Sequence, residues 1–266
     1  LQKKPEVQSL SVPSFARSWH YTQERNNLKT FGVILRLGLY SLYTEEETIV
    51  KQEQQNFSYH DLNLYLHSQV YEPAEDTFLL LDVLDVNFNE KVLEIGTGCG
   101  IISLECARRG AQVISTDLNP HAVNLAQYNY QNNQSNVTGT IEFRQGDLFD
   151  VIHEHEAFDC ILFNPPYLPT TDKERIGGDG WFDLAVDGGV DGLDVIKRFI
   201  ATFSRFLLPN GRAYLIFSTL APKNKFKDFI YQAKLTAVCV ARCHFDNESL
   251  EVYRLTNNNL QSETSR

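Results

Sequence analysis

Val92-Leu93-Glu94-Ile95-Gly96-Thr97-Gly98-Cys99-Gly100 is the segment on which the reading of this chain turns. The apolar run Lys91–Ile95 reads as a strand, the alternate glycines as a tight turn, and Gly100–Arg109 as the helix that follows. Glycine lets the backbone bend sharply and approach a ligand with no side chain between. Dinucleotide sites space their glycines G-x-G-x-x-G, to seat a pyrophosphate on the helix N-terminus. Here the spacing is G-x-G-x-G, with Gly96, Gly98 and Gly100, and Glu94 stands just before the turn. A carboxylate there repels a pyrophosphate and favours a cationic ligand.

Outward from this turn the strand-then-helix rhythm continues. Strands are expected at 112–116, 140–145, 158–163 and 212–218, and helices at 120–131, 193–207 and 223–233. Two closing strands, 236–243 and 250–255, follow one another with little between them, which predicts a C-terminal antiparallel hairpin at a sheet edge. Short apolar strands alternating with amphipathic helices imply an α/β fold, Rossmann-like, with a mostly parallel seven-stranded sheet covered on both faces. Upstream, apolar residues at Leu28, Phe31, Ile34, Leu35 and Leu42 predict an amphipathic helix, while 57–70 alternates as a half-exposed strand or hairpin arm. The expected organisation is an extension (1–56), a main domain (57–257) and a polar tail (258–266).

Ligand-binding residues in such sheets gather at the carboxyl ends of the strands. Asp117 ends the second strand, where a carboxylate accepts hydrogen bonds from both hydroxyls of a ribose. Asp147 and Leu148 follow the third; they suit an adenine, the acid accepting from its exocyclic amine and Leu148 packing on the ring. With Glu94 beside a cationic amino group or sulfonium, the set fits S-adenosylmethionine. The fourth strand runs into Asn164-Pro165-Pro166-Tyr167. The prolines stiffen the backbone and remove two N–H donors, leaving the Asn164 side-chain oxygen and the Pro165 carbonyl as bare acceptors. Two rigid acceptors take both hydrogens of an –NH2 group and orient its nitrogen, and Tyr167 offers a flat face for stacking. An amide nitrogen is a weak nucleophile, so such a site works by positioning and electrostatics; His153 and His155 sit in an acidic loop and are read as solvated.

Glu94-x-Gly96-x-Gly98-x-Gly100, Asp117, Asp147 and Asn164-Pro165-Pro166-Tyr167 resemble the HemK/PrmC protein-glutamine methyltransferases of the class I fold. Val70-Tyr71-Glu72-Pro73-Ala74-Glu75-Asp76-Thr77 is closer to the archaeal and eukaryotic branch, which methylates the Gly-Gly-Gln glutamine of translation release factors. The resemblance spans residues 60–257. It implies that Thr77, at a helix start where free N–H groups attract anions, contacts the cofactor carboxylate. It implies too that Glu94, Asp117, Asp147 and Leu148 bind the remainder of the cofactor while Asn164 and Tyr167 hold the glutamine. In isolation Glu75 and Asp76 pass as ordinary first-turn helix acids. Relatives in this branch pair with a small zinc-binding activator subunit, although the N-terminal extension here could serve instead. The glycine-rich loop 176–192, with Trp181, is long enough to be a lid or substrate loop.

Composition narrows the alternatives. The chain has 266 residues and a formal charge of −10; residues 1–70 carry seven basic and seven acidic side chains, so the whole excess lies beyond them. An acidic core without a basic run argues against a nucleic-acid adenine-N6 methyltransferase, which must hold an extruded base and its phosphates. A lysine methyltransferase would need its substrate to lose a proton first, and a silent scaffold is at odds with an intact Asn164 and Tyr167. No apolar run reaches the length of a membrane span, and the first residues lack a signal-peptide centre, so a cytoplasmic protein is expected. The five cysteines are scattered without metal-ligand spacing, and no metal site is expected.

Overall fold

The computed structural model describes residues 56–170 and 180–258. The helix expected within 27–43, most of the extension, and nearly all of the polar tail lie outside the described residues. A short hairpin, β1 (Asn56–Tyr59) and β2 (Leu62–Tyr65), precedes α1 (Glu75–Asp82). Then follow β3 (Lys91–Ile95), α2 (Ile101–Arg108), β4 (Gln112–Asp117), α3 (Pro120–Asn132), β5 (Thr140–Gln145) and β6 (Phe158–Phe163). The chain continues through α4 (Trp181–Val186), α5 (Asp194–Thr202), β7 (Leu207–Ser218), α6 (Lys223–Gln232), β8 (Leu235–His244) and β9 (Ser249–Asn257).

Seven strands form one sheet in the order β5-β4-β3-β6-β7-β9-β8, and the hairpin β1-β2 stands as a separate two-stranded sheet. Strands β3 to β7 pair in parallel, whereas β9 is antiparallel to both β7 and β8. The C-terminal hairpin is therefore present, with its second strand inserted and its first strand on the edge. Burial explains the order. Leu250, Val252 and Leu255 of β9 are buried, as an interior strand requires, while β8 alternates with exposed positions and carries Arg242. This is the class I methyltransferase fold.

The sheet is buried on both sides. Val92, Cys160, Leu162, Tyr214 and Ile216 pack into one core with α1 and α2, and Leu93, Ile161, Phe163, Leu215 and Phe217 into another with α5 and α6. The helix expected over 193–207 stops at Thr202, and Phe203–Phe206 tightens into a 3-10 turn. Its three-residue period puts Phe203 and Phe206 on one face, and both rings are buried. The β1-β2 hairpin is tied down by Asn129 of α3 and Asn133, the residue that caps its C-terminus, acting as surrogate peptide groups. Asn129 accepts from Tyr65 N (2.8 Å) and donates to Tyr65 O (3.0 Å); Asn133 does the same for Asn63, at 2.9 and 2.8 Å. None of the described helices is long and apolar enough to cross a membrane.

Candidate active site

The chain runs β3, β4, β5 outward in one direction and then returns to place β6 on the other side of β3. At that switch of direction the loops beyond the carboxyl ends of neighbouring strands separate and leave a crevice. A cleft of about 330 Å3 opens there, lined by residues that follow β3, β4, β5 and β6. Every expected site residue except Gly100 lines it: Thr77, Glu94, Gly96, Gly98, Asp117, Asp147, Leu148, Asn164, Pro165 and Tyr167.

The glycine turn is built as its spacing predicts. All three glycines have positive φ, and a Cβ on Gly100 would lie 3.0 Å from Ala126 Cβ and 3.2 Å from its Cα. Gly100 thus lets α2 and α3 approach and acts from behind the cleft, which is why it does not line it. Glu94 is buried on the core side of β3. Its Oε2 accepts from Thr97 (3.2 Å), Ser115 (3.2 Å) and the hydroxyl of Ser103, while Oε1 is buried with no partner among the described residues. Burial pushes this carboxyl up to about 8, against the three hydroxyl bonds that pull it down. Asp117 accepts Gly98 N–H at 3.0 Å and Asn119 N–H at 2.8 Å, so the acid that ends β4 also shapes the turn after β3. Burial raises its pKa, and these backbone donors oppose the rise.

Two of the expected side chains, Asp147 and Thr77, have partners that the sequence did not announce, and Leu148 has an unusual backbone. Asp147 Oδ2 accepts from Arg198 of α5 at 2.7 Å, and Arg198 itself lines the cleft. Nothing in the sequence distinguishes Arg198 from Lys197, the other exposed base of α5. Leu148 has a φ of +48°, a left-handed conformation that a branched side chain adopts only at a cost and that recurs at ligand sites. The N–H of Thr77 is not free for an anion, because Asp76 Oδ1 accepts it at 2.6 Å together with the Thr77 hydroxyl at 3.1 Å. The short Asp76 side chain, one residue upstream, folds back over the first turn of α1.

Beyond β6, Asn164 Oδ1 is buried and has no hydrogen-bond partner among the described residues. An acceptor held without a donor is costly in a folded protein, and its place on the cleft wall makes it a ready site for an incoming N–H. Tyr167 is braced from outside. Leu168 N donates to Val186 O (3.0 Å), and Gly188 N donates to Leu168 O (2.9 Å). A Cβ on Gly192 would lie 2.4 Å from Tyr167 O. The described part of the glycine-rich loop is thus helix α4 plus a turn splinting the backbone of Tyr167, with Trp181 and Leu184 on the cleft wall. His153 and His155 are exposed, stacked on each other at 5.6 Å, and away from the cleft lining.

Residues 68–177 match the family described as the methyltransferase small domain. A putative protein N5-glutamine methyltransferase of Methanocaldococcus jannaschii is 41% identical over 182 residues, covering 66% of this chain and 88% of the relative. This chain belongs to the HemK-type protein N5-glutamine methyltransferases. Within that family the human methyltransferase HEMK2 is 36% identical over 157 residues, which cover 56% of this chain and 72% of HEMK2. Among solved structures, the E. cuniculi Mtq2–Trm112 complex, responsible for methylation of the eRF1 translation termination factor, has a TM-score of 0.54 and 26% identity. It covers 71% of this chain and 99% of the matched chain. The T. thermophilus 16S rRNA N2 G1207 methyltransferase shares the fold alone, with a TM-score of 0.56 at 18% identity, over 77% of this chain and 50% of its own. The HemK-type assignment accounts for Glu94, the glycine turn and Asn164-Pro165-Pro166-Tyr167 lying around one cleft.

Proposed function

We propose that this enzyme transfers a methyl group from S-adenosylmethionine to the side-chain amide nitrogen of a glutamine in a translation release factor. The observation that carries the reading is the buried, unpartnered Asn164 Oδ1 on the wall of a cleft that also holds an unpartnered Glu94 oxygen. The two orphaned acceptors answer two donors of unlike origin: an acceptor amide at Asn164 and a cationic group at Glu94. When bound, S-adenosylmethionine supplies an electrophilic methyl carbon on a sulfonium. Asp117, its two oxygens each retaining acceptor capacity, takes the ribose hydroxyls. Asp147 and Leu148 hold the adenine, with Arg198 fixing the Asp147 carboxylate. The Gly96–Gly98 backbone makes room for the cofactor.

Asn164 and the Pro165 carbonyl accept the two amide hydrogens and turn the nitrogen lone pair toward the methyl carbon, while Tyr167 packs against the planar amide. As the carbon–nitrogen bond forms and the carbon–sulfur bond breaks, the nitrogen gives up one of these hydrogens as a proton to solvent. Acceptors fixed before the substrate arrives favour the positive charge that grows on nitrogen and cost no reorganisation at the moment of transfer. The release factor as substrate is supported by the E. cuniculi relative, a complex responsible for methylation of the eRF1 translation termination factor. An activator subunit belongs to the same reading, since that relative is a complex with a second protein; that it is small and binds zinc is what the family resemblance implies. Labelled S-adenosylmethionine incubated with release factor, DNA and RNA separately tests the proposal. Label is expected on a release-factor glutamine, lost in Asn164→Ala while cofactor binding persists; label confined to nucleic acid refutes it.

A further inference from the structure

A tyrosine serves as a flat wall only while its ring is held in one orientation, because rotation about its side-chain bonds sweeps the ring through the site. Here the hydroxyls of Tyr71 and Tyr167 both donate to one atom, Asp76 Oδ2, at 3.1 and 3.0 Å. The other oxygen, Oδ1, takes the N–H and hydroxyl of Thr77. Asp76 is 2% exposed. Four donors fill its acceptor sites, and among the described residues none of them belongs to a basic side chain. Burial, and then the Asp76 charge, pushes both phenols well above their ordinary value, so they remain donors throughout the working pH range.

Tyr71, Asp76 and Tyr167 line the main cleft and also a second cavity of about 270 Å3, bordered by Glu75, Phe245 and Glu248. The three residues are the wall between the two spaces. An asparagine in place of Asp76 would present one acceptor oxygen instead of two, and would have to abandon either Thr77 or the tyrosines. We propose that Asp76 is a positioning residue for methyl transfer: one carboxylate oxygen holds the Tyr71 and Tyr167 rings as walls of the acceptor end of the cleft. This rests on the reading above, in which Tyr167 packs against the acceptor amide.

The test uses the full chain, labelled S-adenosylmethionine and a release factor carrying Gly-Gly-Gln. Turnover, acceptor KM and cofactor Kd are measured for the wild type, Asp76→Asn, the Tyr71→Phe/Tyr167→Phe pair, and the triple variant. Asp76→Asn and the tyrosine pair should each lower kcat by roughly 10- to 100-fold, with the cofactor Kd changed less than about threefold. The triple variant should be no slower than the slower of the two, because both remove the same hold. A merely structural aspartate would not produce that shared floor. Losses that multiply, or a cofactor Kd that rises as much as kcat falls, overturn the proposal. If Asp76→Asn does not fold, the tyrosine pair decides alone, and an unchanged kcat overturns it. A wild-type enzyme that labels no glutamine overturns the functional reading, and this proposal with it; an active wild type with additive variants overturns this proposal alone.

Discussion

Glu94 shows how one residue can be legible in kind and illegible in setting. Its position before the glycine turn marks it as an acid facing a cation, yet Ser103 and Ser115, which with Thr97 bond its Oε2, come from α2 and β4. Those neighbours are placed by the sheet, so no local pattern announces them. Because burial raises this carboxyl to about 8, the folded protein binds a proton that the unfolded chain has already released. Its contribution to stability is therefore greatest below the ordinary carboxylate range, near pH 4, and falls as pH rises toward 8. Glu94→Gln should flatten that decline in urea unfolding measured from pH 6 to 9; parallel pH profiles for variant and wild type would contradict it. The same variant should weaken S-adenosylmethionine binding in a calorimetric titration, since a carboxyl can ionise opposite a cationic ligand and an amide cannot. Arg198, in contrast, carries no signal of its own, and only the packing of α5 beside β6 reveals it as the partner of Asp147.

At the scale of elements, the strands and helices between β3 and α6 fall within a few residues of expectation, because each has an apolar face of the right period. The exceptions share a cause. Helix α4 is six residues long with no buried residue, too short and too exposed for periodicity to report. The hold of α3 on the β1-β2 hairpin depends on asparagine side chains imitating strand edges, which reads locally as polar helix surface. Asn129→Ala would leave Tyr65 N, Tyr65 O and Cys99 O without their partner. Buried unsatisfied groups cost about 1–3 kcal/mol each, partly offset by water, so a loss of roughly 2–3 kcal/mol is expected in urea unfolding. A change under about 0.5 kcal/mol would mean that the hairpin is held by other contacts. In the turn after α4, Gly192 has a φ of +74° and no space for a Cβ against Tyr167 O. Gly192→Ala should displace Tyr167 and reduce kcat by tenfold or more, with cofactor affinity retained; undiminished turnover would show that the splint is dispensable.

For the whole molecule, the cleft lies where the sheet reverses its order, and its walls come from both halves of the fold. A ligand bound there joins segments far apart in the chain, and by linkage it stabilises only the folded state. At a concentration 100 times its Kd, S-adenosylmethionine should add about 2.7 kcal/mol, which for a domain of this size is a rise in Tm of roughly 5–10 °C. Asp117→Ala should remove most of that rise, because it deletes the ribose acceptor and the brace on Gly98 N–H together. A full thermal shift in that variant would place the cofactor elsewhere.

What the sequence determined by itself was local and directional: a glycine turn after an apolar strand, acids at successive strand ends, and a stiff Asn164-Pro165-Pro166-Tyr167 segment. These are properties of short stretches whose backbone conformations follow from their own residues. Tertiary structure alone decided which groups meet. It set β9 between β7 and β8, Arg198 against Asp147, and Tyr71 and Tyr167 on a single oxygen of Asp76. In the central strands β3 and β6, buried on both faces, nearly every residue is buried, so the pattern cannot say which face a side chain takes. Pairings across the fold are settled only when the whole sheet closes around its two cores.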